Sequence, residues 1–266
     1  MRIEALNDEN EIVRAETEDG IAVVRLNRAA KLNALTAGML SRLTQIFRDA
    51  ETKENLRAII LTGAGDAFSA GTDIASLLDI TEAEAREVSW RGQSACDAIE
   101  SCAVPVIAAL NGAAIGGGCE LALACHLRVA AKDVRFGLPE THLGLLPAYG
   151  GTQRLARLVG RGRALAAMLA GEEIKADEAY SVGLVNEVVE RDEVVAAAMK
   201  LGEKIAASAP LAVRACLRAV IEGSRLELQQ GLELEAELFS RLFGTEDVRE
   251  GTRAFLEKRK PVFNGA

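Results

Sequence analysis

Asn111-Gly-Ala-Ala-Ile-Gly-Gly-Gly-Cys-Glu120, with Pro139-Glu140 some twenty positions further on, is the stretch on which the reading of this chain turns. An apolar, strand-like run (Val104 to Leu110) precedes the glycines, and a helix-like run (Leu121 to Cys125) follows them. Three consecutive glycines carry no side chain to keep a ligand from their backbone N–H groups. A loop opening a helix also presents unpaired N–H donors at the positive end of the helix dipole, which suits an oxygen gaining negative charge. With Glu120 beside those donors and Glu140 on a nearby Gly- and Pro-rich loop, the pattern offers an acid/base pair around a polarised carbonyl. Each carboxylate also has an ordinary role, Glu120 as a first-turn helix stabiliser and Glu140 as a solvated loop residue. Flanking the richest glycine region together, they argue for chemistry.

Strands and helices alternate on either side of this stretch. Ile21 to Leu26 and Ala58 to Leu61 are apolar and β-branched, and both read as strands. Between them Leu40, Leu43, Ile46, Phe47 and Ala50 fall at helical spacing, with Thr36 as N-cap. Thr81-Glu-Ala-Glu84 predicts a capping box for a helix carrying Val88, Ala95, Ile99 and Cys102 on one face. Further strand-like pieces lie at Val106 to Leu110, Leu127 to Ala130 and Val185 to Val189, so the class is α/β. A second glycine-bearing turn, Thr62 to Asp73, offers another backbone donor. After Met199 only helical patterns remain: Lys204 to Ser208, Leu211 to Ile221, Leu226 to Phe243 and Thr245 to Lys258. The last opens on Glu246-Asp247 and closes on Lys258-Arg259-Lys260, charges that complement a helix dipole. Such a tail either builds an assembly or covers the core of its own chain. The division expected is 1–203 for the α/β core and 204–266 for the helical region.

Composition narrows the function classes. A chain of 266 residues, 49% hydrophobic and 26% charged, has the make-up of a soluble globular protein able to bury a sizeable core. Its net charge of −8 argues against broad nucleic-acid binding. Five cysteines (Cys96, Cys102, Cys119, Cys125, Cys216) form no Cys-x-x-Cys pair and are expected as small buried hydrophobes in a reducing compartment. No apolar run reaches membrane-spanning length, and the acidic start Met1 to Asn10 lacks an export-like segment, so cytoplasmic residence is expected. His126 and His142 show no metal-ligand spacing. A dinucleotide fingerprint fails in detail: Gly116-Gly-Gly118-Cys-Glu-Leu121 places Leu where the third glycine belongs, and Glu140 follows Pro139 in a loop.

Taken in order, the motifs resemble the enoyl-CoA hydratase/isomerase (crotonase) family over almost the whole chain. The pieces are Val23-Val-Arg-Leu-Asn-Arg28 with Leu32-Asn-Ala-Leu35, then Ile60-Leu-Thr-Gly63 and Phe68-Ser-Ala-Gly-Thr-Asp-Ile74. Next come Pro105-Val-Ile-Ala-Ala-Leu-Asn-Gly112, Gly116-Gly-Gly-Cys-Glu-Leu-Ala122, Phe136-Gly-Leu-Pro-Glu140 and Gly150-Gly-Thr-Gln-Arg-Leu155. Gly183-Leu-Val185 and Ala254-Phe-Leu-Glu-Lys-Arg-Lys260 close the set. The resemblance implies a right-handed spiral of ββα turns followed by a helical region that builds trimers, commonly paired into hexamers. It implies acyl-CoA thioester substrates and no metal or redox cofactor, coenzyme A being part of the substrate.

Position by position, the resemblance makes the N–H groups of Thr72 and Gly117 the oxyanion hole, and matches Glu120 and Glu140 to the two glutamates of the 2-enoyl-CoA hydratases. Water held and deprotonated by Glu120 would add at the β-carbon, and Glu140 would protonate the α-carbon, giving a 3-hydroxyacyl-CoA. The alternative is another reaction of the family: double-bond isomerisation, or hydration of a branched, cyclic or dicarboxylic acyl-CoA. Substrate contacts are implied for Ala30, Lys31, Leu32, Ala70, Asp73, Ile74, Gly116 and Pro139. Phe255 and Lys258 resemble tail residues that reach a neighbouring subunit's coenzyme A. The chain departs from the family's pattern at Ala29 (often Pro), Thr72 (often Ala) and Ala75 (often Lys). It departs again at Ala114 (a larger residue) and at Tyr149, in a turn usually rich in glycine. These departures bear on the nucleotide contacts and the acyl pocket.

Overall fold

In the computed structural model, which describes residues 2–4, 11–16, 20–53 and 55–266, an antiparallel meander of β1 (Arg2–Glu4), β2 (Ile12–Glu16) and β3 (Ile21–Leu26) comes first. The acidic start considered above for targeting lies largely outside the described residues. Ile21, Ala22, Val24 and Leu26 are buried in β3, which accounts for its near-continuous apolar run. Helix α1 (Ala37–Asp49) opens where expected, the Thr36 hydroxyl accepting from the Met39 N–H at 3.1 Å, and buries Leu40, Leu43, Ile46 and Phe47. β4 (Ala58–Gly63) then pairs parallel to β3, with every residue buried. After β5 (Ala67–Ser69), helix α2 (Glu82–Glu100) carries the expected capping box, with Thr81 and Glu84 each bonding the other's amide.

The next segment repeats the pattern. β6 (Val106–Leu110) and β7 (Ala113–Ile115) lead into α3 (Gly117–Ala124), and β8 (Leu127–Ala131) and β9 (Arg135–Gly137) lead into α4 (Gly151–Val159) and α5 (Arg161–Leu169). Each pass lays one strand in a large sheet and the next in a small one before a helix follows. These are the successive ββα turns that the resemblance implies. β10 (Ile174–Lys175), α6 (Ala176–Ser181) and β11 (Glu187–Val189) complete the sheets. The large sheet runs β1-β2-β3-β4-β6-β8-β11 and the small one β10-β9-β7-β5. β5, β7 and β9 are parallel neighbours, so the segments after them leave the same edge of the small sheet. Those segments begin at Ala70, Gly116 and Leu138, and ligand sites in parallel sheets gather at such carboxyl ends.

The remaining chain is helical. α7 (Val194–Ala206) packs on β3, β4, β6 and β8 and buries Val194, Ala198 and Gly202. α8 (Pro210–Gly223) and α9 (Leu228–Leu242) pair as a hairpin, and α10 (Glu246–Glu257) follows. Phe239, Phe243, Leu228 and Val220 on the hairpin and its end are exposed. Glu246 and Asp247 stand in the first turn of α10, as the dipole expectation has it, whereas its last turn holds no basic residue. Asp247 is buried and accepts from the Asn264 and Gly265 amides, anchoring the chain end, while Arg259 turns back to Glu250 and Glu257. Cys96, Cys102, Cys119 and Cys125 are buried free thiols, as expected, and Cys216 is exposed. Among the described residues no helix is long and apolar enough to cross a membrane.

Candidate active site

The segment after β5 is built to bring a backbone donor close to the glycine run. Leu35 bridges to Thr72, its N–H donating to the Gly71 carbonyl at 2.7 Å and its carbonyl accepting from Asp73 at 3.0 Å. This leaves the Thr72 N–H without a backbone partner among the described residues. Gly71 is left-handed at φ +93°, and a Cβ there would meet the Ile115 carbonyl at 2.7 Å and the Gly117 nitrogen at 3.1 Å. Position 71 therefore lets the two donor segments touch. Gly117 is the first residue of α3, where an N–H has no partner within the helix. The glycine run is thus less of a loop than its sequence suggests: Gly117 and Gly118 already belong to α3.

Glu120 lies in the first turn of α3 and is 1% exposed. Its Oε1 accepts from the Tyr149 N–H at 2.8 Å and from the Gly151 N–H at 2.6 Å, leaving Oε2 without a partner among the described residues. A Cβ on residue 151 would stand 2.9 Å from Oε1, so glycine permits this approach. Burial, reinforced by the negative charge of Glu140, pushes the Glu120 carboxyl up to about 7 even against those two amides. Glu140 opens a short 3-10 turn, Glu140–Leu143, rather than an irregular loop. Burial raises its carboxyl too, and its Oε2 is buried with no hydrogen-bond partner among the described residues. A carboxyl oxygen in that state is either protonated or waiting for a partner from outside the chain.

Both glutamates face one cavity of about 760 Å³, together with Ala70, Thr72, Ile74, Gly116, Gly117 and Pro139. The far wall comes from the region around the start of α2 (Leu77, Ile80, Val88) and from Leu143, Leu145 and Leu146. Sequence reasoning missed this wall. Its signal in the sequence is the cluster Leu143-Gly-Leu-Leu146-Pro in a turn, and in the structure Leu143 and Leu146 are 59% and 62% exposed. Tyr149 also lines the cavity, its phenol oxygen accepting from the Thr72 hydroxyl at 2.8 Å, whereas Ala114 is buried and does not line it.

The other expected contacts do not line the cavity. Asp73 is engaged by Arg28 at 2.7 Å, which holds its carboxyl below the usual range. Ala30 and Lys31 lie on an exposed 3-10 turn that Leu32 closes. Phe255, 83% exposed, and Lys258 lie on and just after α10. Among the described residues no three His, Cys, Asp or Glu gather as a metal-ligand set.

Known proteins resemble this chain over nearly its full length. A family model described as enoyl-CoA hydratase/isomerase matches residues 16–266. The short-chain-enoyl-CoA hydratase of Clostridium acetobutylicum is 42% identical over 246 residues, 92% of this chain and 94% of the relative. The crotonyl-CoA hydratase of Syntrophomonas wolfei is 42% identical over 93% of this chain and 96% of its own. The 2,3-dehydroadipyl-CoA hydratase of Escherichia coli is 40% identical over 92% and 95%. Among solved structures, an enoyl-CoA hydratase from Bacillus anthracis superposes with a TM-score of 0.93 at 38% identity, covering 96% of this chain and all of that one.

Proposed function

The chain belongs to the enoyl-CoA hydratase/isomerase family, and on that premise we propose that it is a 2-enoyl-CoA hydratase, adding water reversibly to give a 3-hydroxyacyl-CoA. The observation that carries this reading is the pair Glu120 and Glu140 facing one cavity beside the Thr72 and Gly117 amides. The thioester carbonyl oxygen accepts from those two N–H groups, each worth roughly 3–4 kcal/mol of barrier. Polarisation draws electrons from the conjugated double bond and leaves the β-carbon open to attack. Glu120, its Oε1 tied to two amides, uses Oε2 to take a proton from water as the new C–O bond forms. Glu140 delivers a proton to the α-carbon as the enolate collapses, a step favoured by its raised carboxyl.

Two further readings accompany the activity. The exposed aromatic residues of α9 and its end, Phe239 and Phe243, support an assembly of copies, which we take to be a trimer or a pair of trimers. Four buried, unpaired thiols are in keeping with a reducing, cytoplasmic setting. Product analysis with crotonyl-CoA tests the activity. 3-Hydroxybutyryl-CoA carrying solvent oxygen is expected; isomerisation of a 3-enoyl thioester without any hydration would instead favour the isomerase reading.

A further inference from the structure

Tyr149 makes more connections within this site than either glutamate. Its ring is buried, and each of its polar groups has a defined partner. The N–H donates to Glu120 Oε1 at 2.8 Å, the carbonyl accepts from Arg154 Nη1 at 3.1 Å, and the phenol oxygen meets Thr72 Oγ1 at 2.8 Å. The ring lies against two glycines. A Cβ on Gly117 would stand 2.7 Å from its Cε2, and a Cβ on Gly92 would stand 2.0 Å from its Cδ1.

Gly92 sits inside the 19-residue helix α2, where glycine weakens the helix, and the Tyr149 ring supplies a reason for it. On either side of Gly92, Ser89 Oγ at 2.8 Å and Gln93 Nε2 at 3.1 Å both donate to the Ala148 carbonyl. Helix α2 therefore grips the 148–149 backbone and leaves a recess for the ring. Burial pushes the phenol up to about 12, so it acts as a neutral hydroxyl.

We infer that Tyr149 is a positioning residue that ties the two proposed oxyanion donors, Thr72 and Gly117, to the carboxylate of Glu120. Carbonyl polarisation and water delivery are thereby held in one geometry. The inference rests on the hydratase reading of the same site. Its physical basis is the sensitivity of paired groups to small displacements: a shift of about 1 Å in one of them can cost on the order of a hundredfold in rate. The Thr72 hydroxyl, a departure from the family's pattern, then serves to fix its own segment through Tyr149.

Tyr149→Phe keeps the ring, amide and carbonyl and removes only the hydroxyl; Thr72→Ala removes the other half and keeps its N–H. Each is expected to lower kcat for crotonyl-CoA about tenfold, the loss of one buried hydrogen bond, with KM changed less than twofold. The double variant is expected to lose no more than either single one, and Thr72→Ser to restore most of what Thr72→Ala loses. Gly92→Ala, which displaces the ring, is expected to lose at least as much as Tyr149→Phe.

The fraction of bound acetoacetyl-CoA held as its enolate, read by ultraviolet absorbance, is expected to fall in parallel. It reports the oxyanion hole without any addition of water. Wild-type rates in Tyr149→Phe and Thr72→Ala, multiplying losses in the double variant, or a loss confined to KM would overturn the positioning role. A wild-type protein that forms the enolate but does not hydrate crotonyl-CoA would overturn the hydratase reading and the water-delivery half of the inference; an enolate fraction that still falls in Tyr149→Phe and Thr72→Ala would keep the hold of Tyr149 on the oxyanion donors. Failure of both would overturn both.

Discussion

Glu120 occupies a position where many helices carry a solvated acid, yet its carboxyl is buried, and that has a consequence for stability. Its folded value, about 7, lies above the ordinary 4.5, so between those pH values the folded chain binds the proton more tightly than the unfolded one. Stability therefore falls as pH rises through this window, and above about pH 7 the full penalty, on the order of 3 kcal/mol, is present. Glu120→Gln keeps an acceptor for the Tyr149 and Gly151 amides without the charge. It is expected to be more stable than the wild type at pH 8 by up to that amount and equal to it near pH 4.5. Urea unfolding at the two pH values measures this, and a difference independent of pH would contradict it. The joint position of Glu120 and Glu140 around the glycine run was legible in the sequence. The role of Tyr149 was not, because it works through a backbone N–H, a hydroxyl and a ring that meet partners 29, 77 and 57 positions away (Glu120, Thr72 and Gly92).

At the scale of elements, the site exists because β5, β7 and β9 end side by side. Each has only three residues, too few for a period of two to register, so the small sheet was hidden although the longer strands and both Thr caps were readable. Helix α3 carries both Gly117 and Glu120, and its far end is held by a buried arginine. Arg128 donates to the Ala122 and Cys125 carbonyls there and to the Leu184 carbonyl at 2.6 Å. Arg128→Met leaves three carbonyls without that donor. It is expected to destabilise the fold by at least about 2 kcal/mol and to lower kcat as α3 frays; a variant within 0.5 kcal/mol (about the effect of an ordinary surface change) would count against this role. The wall formed by the start of α2 and the 143–146 turn bears on substrate choice. Glu82, Glu120 and Glu140 line the cavity, and among the described residues no Lys or Arg does. A neutral acyl group is therefore expected to be preferred over one ending in a carboxylate. Hex-2-enoyl-CoA should show at least about tenfold higher kcat/KM than 2,3-dehydroadipyl-CoA, a difference of about 1.4 kcal/mol. Equal values would remove the charge argument.

For the whole molecule, helical periodicity in the tail was legible, but periodicity shows only that one face is apolar and not which surface covers it. α7 proves to pack on the large sheet, whereas Phe239 and Phe243 remain 63% and 59% exposed. Sedimentation is expected to give a trimer or a multiple of one, and Phe239→Asp with Phe243→Asp to shift it toward the monomer. A monomeric wild type would contradict that assembly. The central claim is that two glutamates around an amide-polarised thioester add water to a 2-enoyl group. Its most direct test is the loss of conjugated-thioester absorbance from crotonyl-CoA with the wild type, Glu120→Gln and Glu140→Gln. Rapid hydration by the wild type and rates lower by about a hundredfold or more in each variant, with crotonyl-CoA still bound, are the results expected. Undiminished hydration in either variant, or a wild type that leaves crotonyl-CoA unchanged, would contradict it.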